Sequence, residues 1–459
     1  MKPSLANRVR FDQLQTWKAF LFPKLHRVTE FLGLQGITTA GNLLYGFLCV
    51  RLLPIPDYAE FAVVFGFLGT FTVLMDIGIS STLIPLVGER IDDRQLIADY
   101  VASIRQLAHW VYIAVAPLIA VVYPLIVRRQ QWSWKVLAAM VAILLVAGWC
   151  ARIGGAYGAV LIIRRDRTVW YRMQMISSLG TLFLLGIVWS AHWLNAFSAI
   201  LINVAGIVFV GYAYYLRAER LLGVKGHSSR EKRNAIVHLA LPSMPNAIFY
   251  ALQGQISLLL ITFFGRTTAV ASIGALNRLS RFFLLFAQMN PLFIEPYFAK
   301  LPAARLRRSY LCVLAISGAF CLFMVGSARA LPGVFLWVLG PKYRDLRFEV
   351  LLAMAAISIS FFYDVIVTMN NARRFVYWWN GIMTIALVLS VQVFFLWKVD
   401  LSTVRGVLYM GIATAAAILL VNALTAIYGF ARGPRQTPES TASIDQAAFA
   451  EFREPMTFD

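Results

Sequence analysis

Charge is scarce in this sequence. Of 459 residues only 14% are Asp, Glu, Lys or Arg, and just 22 are acidic. A soluble domain carries about a quarter of its residues as charged ones, so this chain cannot clothe itself for water. Histidine occurs five times and cysteine four. The histidines are scattered, and Cys49, Cys150, Cys312 and Cys321 all fall in apolar text without metal-ligand spacing. They read as small buried side chains, and no metal or cofactor is expected. The first 30 residues hold no short apolar core of the kind that marks a cleaved leader; they are mixed and basic, with Lys2, Arg8, Arg10, Lys18, Lys24 and Arg27.

What is present is apolar length. Hydrophobic residues make up 59% of the chain and mean hydropathy is +0.69. Windows of about 19 residues predict twelve membrane spans, at 32–53, 61–87, 100–127, 136–162, 173–193 and 196–216, then at 236–264, 269–297, 311–327, 350–370, 375–397 and 407–430. The fold expected is all-α integral membrane. With the N-terminus inside, the cytosolic side holds about two thirds of the 42 Lys and Arg, so both termini are expected there. The net charge of +20 is then mostly an orientation signal, not a footprint for nucleic acid.

The longest polar link, RAERLLGVKGHSSREKRN (217–234), falls near mid-chain. The expected organisation is a basic cytosolic arm over 1–31, an N-lobe of six helices over 32–216, a linker over 217–235, a C-lobe of six helices over 236–430, and a polar, disordered cytosolic tail over 431–459. Six helices per half imply a parallel repeat about an axis along the membrane normal. A weak repeat supports it. Gln35, Thr38, Asn42 and Tyr45 share one face of the first helix, and Asn246, Tyr250, Gln253 and Ser257 do the same in the seventh. Asp76 aligns with Gln288, and Arg152 with Asp364. Such polar residues commonly join membrane helices, but two related stripes favour a wet cleft between the halves. Gln35 and Asn42 are expected to face Asn246 and Gln253 across it.

The stretch GALNRLSRFFLLFAQMNPLFIE (274–295) carries Arg278 and Arg281 among apolar residues. At 1.5 Å per residue they lie about 14–18 Å inside the eighth span. A charge facing lipid there costs at least ~2.5–3.5 kcal/mol. Gly274, Arg281, Gln288 and Glu295 recur every seven residues as one polar stripe. One reading pairs Arg281 with Glu295 or Asp76 to lock helices. The sharper reading is an anion site, because guanidinium forks suit phosphate oxygens and two of them suit a diphosphate. Asp76, Glu295 and Asp364 are the only acids placed well inside spans and are the candidates for coupling to a proton or sodium ion. Arg152 and Asp364, opposite in charge and repeat-related, form a candidate inner gate, expected to meet only when the cytosolic side is closed.

The segment 41–90 resembles the start of the Wzx-like polysaccharide flippases of the multidrug/oligosaccharidyl-lipid/polysaccharide (MOP) exporter superfamily. The shared pattern is a first helix ending in Arg-x-Leu at Arg51, a turn containing Tyr58, and a second helix ending in Asp-x-Gly at Asp76 and Gly78. The segment FFGRTTAVASIGALNRLSRF (263–282) resembles the same family's seventh-to-eighth helix turn, with its Arg-Leu at Arg278–Leu279. Lipid II flippases, more distant, carry a similar Arg-Leu and line their cavity with arginines. Many relatives have an acid where Gln255 stands, so ion coupling is not placed there. The resemblance implies a MATE/MOP-like pair of lobes that rock to move an undecaprenyl-diphosphate-linked oligosaccharide from the cytosolic to the periplasmic leaflet of a bacterial inner membrane. Arg278, Arg281 and Arg51 would then hold the diphosphate, and Gln35, Thr38, Asn42, Asn246, Tyr250, Gln253 and Gln288 would line the cavity. Partners would be the lipid-linked oligosaccharide and membrane lipid, with a polysaccharide polymerase and a chain-length regulator as further candidates.

Two rivals stand against it. A multidrug or cation exporter of the same fold usually carries an acid in its first helix, and 32–53 has none. A membrane glycosyltransferase or ligase needs convergent catalytic groups on substantial loops, and the largest outer loop, 328–349, is half apolar without an evident dyad. Tyr45, Tyr157 and Tyr250 are candidates for stacking on sugars.

Overall fold

The computed structural model describes residues 33–432, apart from 89, 165, 242–243 and 288–289. The basic arm, the tail from residue 433 and Gln288 lie outside the described residues. Every regular element among those described is helical.

The first half runs as α1 (33–52), α2 (Ile55–Asp76), the short α3 (Leu83–Val87), α4 (Arg94–Val127), α5 (Trp134–Ile163), α6 (Arg167–Ser190) and α7 (Ala196–Leu222). Local chemistry starts and stops them. Asp93 accepts from the Leu96 amide at the head of α4, Ser133 from Val136 at α5, and Asn195 with Ser198 forms a reciprocal cap on α7. These side chains satisfy amides that the first helical turn leaves unpaired. Gly223 ends α7 at φ 66°, where a residue without Cβ is favoured.

The second half is more broken. It runs as α8 (Arg230–Ala240), α9 (Met244–Gln253), α10 (Ile256–Phe264), α11 (Thr267–Arg278), α12 (Ser280–Ala287), a π turn (Asn290–Ile294) and α13 (Glu295–Lys300). Then come α14 (Ala303–Ala330), α15 (Pro332–Leu339), a 3-10 turn (Pro341–Tyr343), α16 (Arg347–Ala372), α17 (Trp378–Lys398) and α18 (Val404–Arg432). Nine helices among the described residues are long and apolar enough to cross a bilayer, or ten if α8 and α9, bent by 59°, form one span. Of the twelve expected spans, the first, seventh and eighth are not among the nine; α1 is described only from residue 33, and α8–α10 and α11–α13 are chains of short helices. The protein is a multi-pass helical membrane protein.

Within 33–222, α5 lies along α4 and α7, α6 packs on α7, and α2 packs on α5; within 244–432, α16 lies between α14 and α18, and α17 packs on α18. Small residues allow the closest approaches, as is usual between membrane helices. A Cβ on Gly211 of α7 would come within 3.1 Å of the Cys150 carbonyl oxygen on α5, and one on Gly148 within 2.2 Å of the Phe71 ring on α2. Large apolar side chains such as Phe183, Leu322, Phe323 and Trp397 point outward, where lipid covers them.

Helix α2 ends in the left-handed region, with Ile77 at φ 40° and Gly78 at φ 77°. A β-branched residue there is strained. The Asp76 carboxylate ties the break together by accepting from the Ser80 amide at 2.8 Å.

Candidate functional site

Helix α11 meets α1 and α2 near the centre of the molecule, and Arg278 sits at that junction. Its side chain is 8% exposed. The guanidinium lies 4.1 Å from the Phe65 ring centroid and 5.4 Å from that of Phe61. Its other side rests on Gly46, where a Cβ would approach Nη1 to 3.3 Å. Cation–π attraction of this kind offsets part of the cost of burying a charge. Arg281, three residues on, is exposed, and so is Asn277 four residues before it. Neither arginine has a carboxylate within ion-pair distance among the described residues. The two are therefore not equivalent. Arg278 is seated among aromatic rings, and Arg281 is the one a ligand can reach.

The other expected partners of this pair lie elsewhere. Arg51 is at the end of α1, exposed, with its guanidinium 5.3 Å from the Trp337 ring centroid. Glu295 opens α13 beyond the π turn and is exposed. The seven-residue stripe from Gly274 through Arg281 to Glu295 does not persist, because the α11–α12 junction and the π turn change the register.

A cavity of about 600 Å³ opens in the first half. Thr38 and Asn42 of α1 line it, as expected, facing Thr72 of α2, Gln174 and Ser177 of α6, and Asn203 of α7. All of its lining residues belong to α1–α7 and the turn after α2. The described partners of the seventh-helix stripe lie in the second half. Asn246 lies beside Gly381 of α17, and Gln253 accepts from the Gln392 amide of α17 at 2.7 Å. Helix α9 packs on α2, and Gln255 just beyond it lies beside Gly66 and Gly69 of α2. Gln35 borders the stripe with its carbonyl oxygen buried and unpaired, and Tyr250 is exposed. Tyr45 is packed inside and donates to the Ala199 carbonyl. Tyr157 is likewise buried, between Arg105 and Glu219 at 3.3 Å from each. Neither offers a face to the cavity. Of the four cysteines, only Cys49 and Cys321 are buried; Cys312 is exposed and Cys150 lines the cavity.

The acids divide by position. Asp76 adjoins the cavity, with Oδ1 3.8 Å from where a Cβ on Gly155 would stand. Asp364 accepts from Asn290 at 3.0 Å. Arg152, which the gate pairs with Asp364, instead meets His109 at 3.0 Å and covers the Trp149 ring at 3.7 Å. Each is engaged by a neighbour from its own half.

Hydrogen bonds between 33–222 and 244–432 gather at the end of the molecule away from the linker. Lys342 donates to the carbonyls of Arg51 and Leu53 at 3.1 and 2.5 Å, and Gln130 donates to those of Thr262 and Gly265 at 2.9 and 3.2 Å. Burial lowers the Lys342 pKa, as expected for an ammonium drawn from water. This end is closed. Replacing Lys342 with Met is expected to shift it toward opening by roughly tenfold, given about 1.5–3 kcal/mol for a charged hydrogen bond less its partial exposure. Alkylation of Cys49, fully buried on α1, should then quicken while Cys150 does not.

Comparison with known proteins identifies the architecture. No family model and no curated protein matches the sequence. Solved structures do match. The lipid II flippase MurJ in an inward closed conformation superposes with TM-score 0.65 at 12% identity, over 93% of each chain. An inward-facing multidrug resistance MATE family transporter of the MOP superfamily gives 0.57 at 14%, over 86% of this chain and 93% of its own. A Vibrio cholerae MATE transporter gives 0.50 at 15%, over 90% and 98%. The fold is that of the MOP superfamily. At such identities the likeness carries the fold and nothing finer, so the site must speak for the cargo. Sequence reasoning missed Gln174 and Asn203 in the cavity. Each stands singly in its helix rather than in a stripe.

Proposed function

We propose that the protein is an alternating-access flippase for an undecaprenyl-diphosphate-linked oligosaccharide. It moves this cargo from the cytosolic to the periplasmic leaflet of a bacterial inner membrane for surface polysaccharide synthesis, making and breaking no bond. The observation that carries this reading is Arg281, exposed about 20 Å along the α11–α12 path from Thr267, backed by Arg278 and without an acidic partner among the described residues. A cation held there unpaired is costly, and a phosphate oxygen is the group its fork fits best. The MOP fold supports the reading, since one protein that shares it is a lipid II flippase. The two halves act as lobes, with both termini cytosolic, and the closed far end corresponds to the state that receives cargo from the linker side.

A multidrug exporter is the second reading. Asp76 favours it, a carboxylate beside a cavity in a fold shared with multidrug transporters. Under the flippase reading Asp76, with Asp364, is a coupling group instead. Binding separates the two. The purified protein should be stabilised against heat by a polyprenyl diphosphate carrying a disaccharide and not by a lipophilic cationic dye. Stabilisation by the dye alone would favour the exporter.

A further inference from the structure

We infer that the cavity among α1, α2, α5, α6 and α7 is a glycan subsite, taking the uncharged, hydroxyl-rich part of the cargo. This rests on the flippase reading and deepens it. The cavity is lined by Thr38, Asn42, Thr72, Ser177, Thr181 and Asn203, with Trp170 toward the linker end, and no lining residue is charged. At about 600 Å³ it has the size of a small-molecule pocket.

The hydrogen-bonding state of the wall decides what fits. The hydroxyl of Thr38 donates to the Leu34 carbonyl, Thr72 to Gly69, Ser177 to Gly206 and Thr181 to Ser178. Their protons are spent on backbone, so these oxygens can only accept from a ligand. Asn42 and Asn203 differ. Neither side chain has a hydrogen-bond partner among the described residues, so each offers both a donor and an acceptor to the cavity. An amide left unpaired within membrane depth is costly. The wall is thus rich in acceptors, with a few donors and no charge. A phosphate, which only accepts, finds few partners here. A cation finds Asp76 at the edge alone. Sugar hydroxyls donate and accept, and so match a wall of this kind. Diphosphate and glycan would then be held apart, by Arg281 and by this cavity.

Cys150 lines the same cavity and reports on it in the native chain. Its alkylation by a small water-soluble thiol reagent is measured alone, with a short-chain polyprenyl diphosphate, with that lipid carrying a neutral disaccharide, and with a cationic dye. At about ten times its dissociation constant, the disaccharide-bearing lipid should slow Cys150 about tenfold and the bare lipid should not. Asn42→Ala and Asn203→Ala should each reduce that protection. Equal protection by both lipids, or by neither while the bare lipid still binds through Arg281, would overturn the glycan subsite and leave the flippase standing. Protection by the dye, with neither lipid bound, would overturn both.

Discussion

Arg281→Ala is expected to reduce translocation of a diphosphate-linked glycan roughly 10- to 150-fold, the equivalent of about 1.5–3 kcal/mol for a hydrogen bond to a charged group. The loss should fall on binding and transport, not on folding, because the side chain is exposed and makes no ion pair among the described residues. Arg281→Lys should recover part of it, since an ammonium keeps the charge but loses the two-pronged fork. Arg278→Ala should behave differently. That guanidinium is packed against Phe65, Phe61 and Gly46, so its removal opens a hole at the junction of α1, α2 and α11 and lowers thermal stability as well. Transport in proteoliposomes, paired with melting of the same preparations, separates the two effects. Equal behaviour of the two alanine variants would contradict the asymmetry of the pair.

Gly148→Ala is expected to be among the most damaging single methyl additions in the chain. The new Cβ would fall 2.2 Å from the Phe71 ring, and Phe71 is wholly buried between α2 and α5. Overpacking of this kind costs about 1–3 kcal/mol. The variant should melt several degrees lower in detergent and yield less monodisperse protein. Phe71→Leu alone should also destabilise, by leaving space. Combined, the two should compensate, because the smaller side chain vacates what the methyl needs. Strict additivity of the two changes would contradict the contact.

Much of the architecture was legible because membrane spans announce themselves by apolar length. Where a helix runs unbroken, as in α4, α5, α14 or α18, the expected range and the observed one differ by little more than a turn or two at the ends. Legibility failed where the backbone breaks. In α8–α10 and α11–α13 the text stays apolar, so hydropathy reads straight through interruptions at 254–255 and at the π turn. The seven-residue stripe through Arg281 was a casualty of that. The site was half legible for a related reason. Depth and chemistry pick out Arg278 and Arg281, and spacing puts Thr38 and Asn42 on one face. Which face meets which helix depends on packing between elements far apart in sequence. The first-helix stripe turned toward α6 and α7, and the seventh toward α17.

The central claim, that an anionic lipid-linked glycan is the cargo, is tested most directly by translocation itself. Purified protein in liposomes would be loaded with a fluorescent polyprenyl diphosphate carrying a neutral disaccharide, and the fraction accessible to an impermeant quencher followed over time. The native protein should expose the label rapidly across the bilayer and Arg281→Ala slowly, with no uptake of a lipophilic cation by either. Cation transport by both proteins, with the glycolipid remaining in its leaflet, would contradict it.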